Sequence, residues 1–483
     1  MQVRGTEGTA VFIEDYNGHE KINVGSSWSW ITVAATNVLP EVLTRCTADL
    51  LARNGLDVAR ANCDLLSDPV NAIPGVAVTG TVSMMRILVT PNVAGHSTSI
   101  IAQPDFQRSL QTELERVKWI DDETTNLVGR HPFLGIDKAE VLTALCSLLH
   151  GPLSKLNGNT YSSIPTIISI LNNQHVIHRA EEIAGLFLDK FRPAGTASNG
   201  AVIGLSDADL SARANEIEAK IQILQNESSR TLLLKLLDAV QKTLRTNFFN
   251  NGRYALSLRV DPTIMVPADT PAHKIPFGVF FCHGRNFNAF HCRFRDIARG
   301  GLRIVTPLTA DNHVLSSANQ FDEAYGLSYA QQLKNKDIPE GGSKAVVLVN
   351  SPAISSFHKE FAMRKAVKAF TDSLLDLIVQ PSVSKIVDHY KKDELIYLGP
   401  DEQVIPWDID WITARAAQRG YPIPAAFMSS KAGAGINHKT YGVTSEGVVV
   451  YLDAAMRNVL NIDPYKQPFT IKITGGPDGD VSS

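Results

Sequence analysis

The 483-residue sequence has little of three features that would assign it to a narrower class of protein. No apolar run approaches the ~18 residues of a membrane helix, because the longest stretch, around 141–149, is interrupted by Thr and Ser. The net charge is only −3, which excludes a chain-wide basic surface for nucleic acid and leaves only local anion sites. A content of 44% hydrophobic and 20% charged residues excludes wholesale disorder, and the length predicts about three domains.

Cysteine is also scarce. The five cysteines are an odd number, and neither a CxxC pair nor a Cys/His cluster has the spacing of metal ligands. This pattern favours buried free thiols over disulfides and predicts no metal site. The N-terminus has neither a secretory apolar segment nor the composition of a transit peptide. We therefore expect a soluble intracellular protein of the mitochondrial matrix or the cytoplasm. The cysteines are Cys46, Cys63, Cys146, Cys282 and Cys292.

The apolar pattern divides the chain into four units, which together predict an α/β and α+β multidomain protein. Residues 10–95 predict a small α+β unit in strand–helix–strand–strand order, which resembles half of an amino-acid-binding regulatory domain. Residues 105–250 predict a helical region, ending in one long apolar stripe from Ile217 to Phe248. Residues 251–430 predict an α/β domain. Residues 431–483 predict a connecting helix and then a strand over Phe469–Thr474.

Five arginines lie between positions 285 and 303, against one acid, Asp296. Alternating apolar and polar residues predict a half-buried strand there, with Arg293 and Arg295 on its solvated face. The segment RGGLR at 299–303 differs, because paired glycines let a backbone approach a ligand and an arginine binds a carboxylate in bidentate fashion. On these residues alone, an anionic-substrate site and a plain surface are equally good interpretations.

Two lysines lie in the segment QLKNKDIPEGGSKA at 332–345. A helix over 312–336 is predicted to bring Lys334 to its C-terminal end, and Lys344 directly precedes the buried strand AVVLV. A lysine at the edge of a buried strand is poorly solvated, which lowers its pKa and suits it to amine or carbonyl chemistry. Phosphate binding or simple snorkelling are the alternatives.

Acidic residues are concentrated in the segment GPDEQVIPWDIDW, which predicts a Pro-bounded loop. Loop carboxylates are often helix caps, and only proximity to a lysine would make one of them a proton-transfer group. The four acids are Asp401, Glu402, Asp408 and Asp410.

A glycine-rich turn, GGPDGD, follows the predicted strand near the end of the sequence. Such a turn between a strand and a helix holds pyrophosphate in dinucleotide-binding folds. The spacing of Gly475 and Gly479 is GxxxG rather than GxGxxG, so a plain β-turn is the alternative.

Together these segments resemble the large NAD-specific glutamate dehydrogenases of eukaryotic type. The family's order is kept by FRDIARGGLRIV, FDEAYGLSYAQQLKNKDIPEGGSK, GPDEQ, AFMSSKAGAGINHKTYGVTSEGV and PFTIKITGGPDGDV, and strong resemblance covers about 247–481. The resemblance implies an oxidoreductase with NAD as cofactor, which converts L-glutamate to 2-oxoglutarate and ammonia by oxidative deamination. It also implies a homo-oligomer with neither nucleic-acid nor membrane partners, whose 251–430 unit is the substrate domain.

The same resemblance implies roles for two residues in the chemistry. Lys344 matches the catalytic lysine that activates water or ammonia and polarises the carbonyl carbon. Asp401 matches the proton-shuttling aspartate, with Asp408 and Asp410 kept as alternatives because the register is open.

The resemblance also implies a set of binding residues. Arg299 stands where the family's short-chain enzymes have a lysine that holds the distal carboxylate of the substrate, and Lys334 matches the lysine that binds the α-carboxylate. Thr444 matches the threonine that contacts the nicotinamide amide. The remaining expected binding residues are Gly300, Gly301 and Arg303 for the substrate and Gly475, Gly476 and Gly479 for the cofactor pyrophosphate.

Two departures from the family pattern bear on activity. The family's GGSKG reads GGSKA here, which places Ala345 beside the lysine. The family's GGPDGDVAGN reads GGPDGDVSS, so only the first strand of a Rossmann domain is expected and the chain is expected to be truncated. The competing expectation is therefore a catalytically inactive fragment, or a regulatory or assembly subunit that lacks the NAD-binding domain.

Overall fold

The computed structural model describes residues 8–16, 28–67, 80–91, 100, 103–196, 202–250, 252–334, 340–430 and 441–473. These residues form a small antiparallel sheet with one helix, a block of helices, and a larger mixed sheet with helices on both faces. The protein is thus a mixed α/β multidomain protein, as the sequence predicts. Within the described ranges, no helix combines the length and the apolar character needed to cross a membrane.

The N-terminal unit is a four-stranded antiparallel sheet in the order β1-β2-β4-β3. The predicted strands and helix are present, and one strand that the sequence analysis did not predict, β1, pairs with β2. The elements are β1 (Thr9–Asp15), β2 (Ser29–Thr36), α1 (Pro40–Arg53), β3 (Leu56–Ser67) and β4 (Thr81–Pro91).

Helices dominate from residue 104 to residue 242. The predicted long stretch to Phe248 is wrong in its extent, because Asn226 caps a new helix by accepting a hydrogen bond from the Ser229 amide. The chain then leaves the helix at Thr243 and forms a strand. The elements are α2 (Pro104–Arg116), α3 (Asp122–Arg130), α4 (Gly135–Leu156), α5 (Ile164–Ile170), α6 (Gln174–Phe191), the hairpin β5 (Gly195–Thr196) and β6 (Val202–Ile203), α7 (Asp207–Gln222) and α8 (Glu227–Lys242).

The larger sheet has the order β14-β12-β13-β10-β9-β8-β7, with β11 also paired to β13. The pairing in this sheet changes from antiparallel to parallel at β13, since β13 runs antiparallel to β10 and parallel to β11 and β12. The strands are β7 (Thr243–Thr246), β8 (Leu256–Val260), β9 (Gly278–Gly284), β10 (Phe287–Arg293), β11 (Ala298–Arg299), β12 (Gly301–Val305), β13 (Gly341–Val349) and β14 (Gly399–Pro400).

Two helical layers cover this sheet, because side chains alternate between its faces. Val346 of β13 packs in one core with the helical block and α9, whereas Ala345 and Val347 pack in another with α10 and α12. The methyl group of Ala345 is therefore buried on the face opposite to the side chain of Lys344. The helices are α9 (Ala310–Lys334), α10 (Lys359–Ile378), α11 (Gln380–Val383), α12 (Pro406–Arg419), α13 (Pro424–Phe427) and α14 (Val443–Asn458).

The first core runs without a break across the expected boundary at residue 250. Leu237 and Phe248 lie before the boundary, Leu258 and Val346 lie after it, and all are buried in the same cluster. Strand β7 belongs to the expected helical region and pairs with β8 of the expected substrate domain. The two regions therefore share one core and one sheet.

Two sequence predictions differ from the structure. Arg293 is buried rather than solvated, because its guanidinium pairs with the buried carboxylate of Glu394. Residues 469–473 of the predicted last strand do not form a strand. A strand requires a hydrogen-bonded neighbour, and the described residues contain no such neighbour for this segment. Phe469, Ile471 and Ile473 are therefore exposed. The first strand of a Rossmann domain is therefore not seen. All five cysteines are free thiols, and Cys63 is exposed although burial was expected.

Candidate active site

Lys344 and Asp401 meet at one end of the large sheet. Lys344 is on β13, and Asp401 directly follows β14, two strands away across β12. The backbone fixes Asp401 in place, since its amide donates to the Leu302 carbonyl of β12 at 3.1 Å. The Lys344 Nζ contacts the Asp401 Oδ2 directly in a salt bridge. Two residues that are 57 positions apart in the sequence thus form one ion pair.

The surroundings of Lys344 favour its neutral amine. Burial is the main cause that lowers the pKa of Lys344 to about 8 from 10.5, and the charges of Arg303 and Lys334 lower it further. The carboxylates of Glu323 and Glu402 act in the opposite direction. A substantial share of the lysine is therefore uncharged at slightly alkaline pH, which is the form that accepts a proton.

The paired glycines bring protein atoms together at this site. A Cβ on Gly301 would lie 2.8 Å from both Cβ and Oδ2 of Asp401, and a Cβ on Gly300 would lie 1.5 Å from the Ser343 carbonyl oxygen. Neither position has room for a side chain. In this structure the close approach that the glycines allow is to β13 and Asp401, so they hold the pair in contact.

Arg303 joins two carboxylates beside the pair. Its guanidinium donates to Glu323 on α9, with an Nη1–Oε1 distance of 2.6 Å, and to Glu402 in the loop after β14. The side chain is 28% exposed, so the arginine is partly screened by solvent. In this structure these contacts fix the loop carrying Asp401, and the expected substrate contact of Arg303 stays a prediction.

The two residues expected to hold substrate carboxylates lie at the ends of their elements. Arg299 is on β11 and forms an ion pair through Nε with Glu340, the residue directly before β13. Lys334 is the last residue of α9 and is exposed. Both residues therefore flank the start of β13, where Lys344 lies.

The structure separates the three candidate aspartates. Asp401 contacts Lys344, whereas Asp408 is fully buried, accepts from the Ile405 amide at 3.0 Å as a helix cap and pairs with Arg364. Asp410 lies on the exposed side of α12. The expected Pro-bounded loop ends at residue 405, because Pro406 starts a helix that contains Asp408 and Asp410. Of the three, Asp401 alone is placed beside the lysine.

Only part of the expected cofactor site lies within the described residues. Thr444 is in the first turn of α14, and its side chain is exposed, so it fits the role of a hydrogen-bonding partner for a bound ligand. The expected pyrophosphate residues Gly475, Gly476 and Gly479 lie outside the described residues.

The sequence analysis missed two acids of this site, Glu323 and Glu340. Glu340 precedes the glycines of EGGSK and faces Arg299, and Glu323 lies on α9 opposite Arg303. Their positions in the motif segments are visible in the sequence, but their arginine partners follow only from the pairing of β11 and β12 with β13. Among the described residues, no group of three His, Cys, Asp or Glu side chains is arranged to hold a metal ion.

A cavity of about 610 Å³ lies next to the pair. Its lining includes Arg303, Glu323 and Glu402, together with apolar side chains of β12 and the polar Asn312 and Ser316 of α9. Lys344 and Asp401 are not among its lining residues, and their side chains touch each other directly. A molecule that reacts at the lysine must therefore separate them or approach from the opposite side.

A poorly solvated lysine in contact with an aspartate, flanked by cationic groups, defines a site for proton transfer at an amine or carbonyl carbon of an anionic molecule. Residues 216–483 match the family described as "Bacterial NAD-glutamate dehydrogenase, catalytic domain". The match covers more than half of the chain. The chain therefore belongs to this family.

Individual relatives agree with the family. The "NAD-specific glutamate dehydrogenase" of Saccharomyces cerevisiae is 40% identical over 276 residues, which is 56% of this chain and 24% of that protein. The protein of the same name from Neurospora crassa is 40% identical over 246 residues, 50% of this chain and 22% of that protein. This chain thus spans about a quarter of the length of the curated relatives it matches.

Solved structures were also compared. The hetero-hexameric glutamate dehydrogenase from Thermus thermophilus, in its Leu-bound form, aligns with 36% of this chain and 36% of that chain. The sequence identity is 21% and the TM-score is 0.24.

Proposed function

We propose that this chain carries out the amine chemistry of an NAD-dependent glutamate dehydrogenase, the oxidative deamination of L-glutamate to 2-oxoglutarate and ammonia. The observation that carries the proposal is the contact between Lys344 of β13 and Asp401, which follows β14 two strands away. Membership of the glutamate dehydrogenase family and the names of the relatives support the choice of reaction.

Lys344 acts as the base in this proposal. With a pKa lowered to about 8, its neutral amine takes a proton from the water that attacks the α-carbon once that carbon has been oxidised to an imine. Asp401 then takes this proton from the ammonium form of Lys344 and passes it to the departing nitrogen, which leaves the lysine neutral again. The direct contact between the two groups provides the path for that proton.

Arg299 and Lys334 hold the substrate by its two carboxylates in this proposal. Arg299 binds the distal carboxylate, because its guanidinium lies on β11 beside the start of β13 and is suited to holding a carboxylate. Lys334, exposed at the end of α9, binds the α-carboxylate. Gly300 and Gly301 contribute by letting β13 and Asp401 approach closely, which holds the Lys344–Asp401 pair beside the substrate.

We assign NAD as the cofactor, which when bound would accept the hydride that leaves the α-carbon. Thr444, exposed in the first turn of α14, would hold the nicotinamide amide, and Gly475, Gly476 and Gly479 would hold the pyrophosphate. Residues 431–483 would then connect the substrate-binding part to the nucleotide-binding part, and the protein would act as a homo-oligomer. Residues 10–95 form the proposed regulatory-like unit.

The test is NADH formation from L-glutamate and NAD by the unaltered protein and by Lys344→Ala. Loss of a base of this kind lowers turnover by about 10²–10⁴-fold, while binding of 2-oxoglutarate, measured by calorimetry, stays within a few-fold. Lys155→Ala is the matched control, because Lys155 is an exposed lysine paired with Asp322. Equal turnover in Lys344→Ala and the unaltered protein would remove the lysine from its role, and no glutamate-dependent NADH formation at all would remove the reaction.

A further inference from the structure

A second cavity, of about 540 Å³, lies where the β7–β8 connection meets the helices α10 and α12. It shares no lining residue with the Lys344–Asp401 site or with the cavity beside Arg303. Its volume falls in the range of about 300–1,000 Å³ that is usual for small-molecule sites. The charged residues of its lining are Arg253, Lys385, Arg415, Arg419, Asp372 and Asp376.

Two of the four cations are already paired with the two acids. Arg415 Nε lies 2.7 Å from Asp372 Oδ1, and Arg419 reaches both Asp372 and Asp376, at 2.6 and 2.5 Å. Burial, and then the nearby Asp372, raise the pKa of Asp376, which favours its uncharged form. The two carboxylates therefore offset at most the charges of the two arginines with which they pair. The two carboxylates of the lining therefore leave no negative charge to offset its other cations.

The other two cations have no carboxylate of the cavity as a partner. Arg253 is buried and donates to Glu140 of α4 at 2.6 Å, but Glu140 is shared with Arg116, and the Nε of Arg253 has no hydrogen-bond acceptor among the described residues. Lys385 is exposed, and its amine has no acidic or hydrogen-bonding partner within the described ranges. Arg116 also pairs with Asp137, so Glu140 and Asp137 together offset Arg253 and Arg116. Lys385 is then the cation of the lining that no carboxylate among the described residues offsets.

We propose that this cavity binds a compact dianion, a small molecule bearing two carboxylates or a phosphate, with Lys385 supplying the cation at its exposed edge. Such a ligand would place its charge between Lys385 and the arginines, where charge-assisted hydrogen bonds are the strong ones. It would also contact both the connection after β7 and the end of α12, two segments that are more than 150 residues apart in the sequence. The site stands on its own geometry and does not depend on the proposed reaction.

The test measures binding of two probes, inorganic phosphate and succinate, by isothermal titration calorimetry at fixed ionic strength set with chloride. The unaltered protein should bind at least one probe with a saturable isotherm. Lys385→Glu reverses a charge at the cavity edge and should weaken that binding by roughly tenfold or more. Lys274→Glu is the matched control, because Lys274 is also exposed but lies outside the cavity, and it should leave the affinity unchanged.

The preferred probe distinguishes the two ligand chemistries: tighter binding of succinate assigns dicarboxylates, and tighter binding of phosphate assigns phosphorylated ligands. If circular dichroism shows that Lys385→Glu is not folded, Lys385→Ala, which only removes the charge, takes its place in the test. The proposal is overturned if neither probe gives a saturable isotherm. It is also overturned if the affinity is the same in the folded Lys385 variant as in the unaltered protein.

Discussion

The large sheet carries two ionic clusters built from similar side chains, and they differ in how completely their charges are enclosed. In the first, the Glu394 cluster, three arginines from the strands β8, β10 and β7 converge on one buried carboxylate: Arg259 Nε at 3.1 Å, Arg293 Nη2 at 2.5 Å and Arg245 Nη1 at 3.4 Å. Asp388 adds a second carboxylate, 2.7 Å from Arg245. The guanidinium groups also donate to backbone carbonyls, which leaves little for a ligand to bind.

The second cluster, at Lys344 and Asp401, is partly open. The side chain of Asp401 is 31% exposed, that of Arg303 is 28% exposed, and burial lowers the pKa of the lysine instead of leaving it permanently charged. An arginine keeps its charge at any working pH, whereas a lysine loses its proton readily when desolvated. The comparison teaches that a lysine in an incompletely enclosed cluster can exchange its proton, whereas arginines in an enclosed cluster stay charged and paired.

The largest expected effect comes from breaking the enclosed cluster. Glu394→Gln removes the charge shared by Arg259, Arg293 and Arg245 and leaves buried guanidinium groups without it. We expect a loss of about 3–5 kcal/mol in the free energy of unfolding, because an unpaired buried charge costs this much. Denaturation by guanidinium chloride measures it.

Asp296→Asn is the control for that change. Asp296 pairs with Arg293 but is exposed, so its loss should cost about 1 kcal/mol or less. If the two variants unfold at the same denaturant concentration, the enclosed cluster is not what stabilises this part of the sheet.

An intermediate effect is expected at Gly301. In Gly301→Ala the new methyl group meets Asp401 at 2.8 Å, so the aspartate must move away from Lys344. A misplacement of about 1 Å costs ~10²-fold in rate, and we expect that loss in NADH formation with a smaller loss of stability. Gly326→Ala on α9 is the control, because a Cβ there contacts nothing within 4 Å. Full activity of Gly301→Ala would show that the contact of the pair is not needed.

The smallest expected effect comes from changing a charge next to Lys344. Lys344 is deprotonated above its pKa of about 8, so a reaction that needs the neutral amine rises with pH through that value. Arg303→Gln removes a positive charge that favours the neutral form and releases two carboxylates that oppose it, so the pKa of Lys344 should rise and the alkaline limb should move to higher pH. We expect a shift of about one pH unit or less at this partly exposed site.

Labelling of Lys344 with an amine reagent, followed by peptide mass spectrometry across pH 6–11, measures that shift independently of turnover. Arg108→Gln serves as the control, since Arg108 is exposed on α2 and pairs only locally with Asp105. A midpoint for Lys344 labelling that is unmoved or lowered in Arg303→Gln would contradict the electrostatic account.

The sequence predicts the catalytic side of this comparison better than the structural side. Lys344 stands before an apolar strand, so its poor solvation follows from local pattern, and the structure bears out the lowered pKa. Arg293 alternates with phenylalanines and appears solvated, because its partner Glu394 is 101 positions away. Burial of a charge depends on a distant partner, which local periodicity does not contain.

The choice among the aspartates illustrates the same limit. The sequence places four acids in one segment, and only the order of strands β14, β12 and β13 shows that Asp401 reaches the lysine. The expected last strand failed for a related reason. Its alternating apolar residues are suited to a strand, but Phe469 and Ile471 find no neighbouring strand among the described residues.

The core that crosses residue 250 has a consequence for synthesis of the protein on the ribosome. The helices up to α8 emerge first, with apolar faces whose packing partners, such as Phe290 and Val346, come about 40 to 100 residues later. At a synthesis rate of roughly 5–20 residues per second, those apolar faces stay exposed for several seconds or more before their packing partners are synthesised. We therefore expect the nascent chain to need a chaperone during this interval, and a pause in translation near β7 to lower the yield of folded protein.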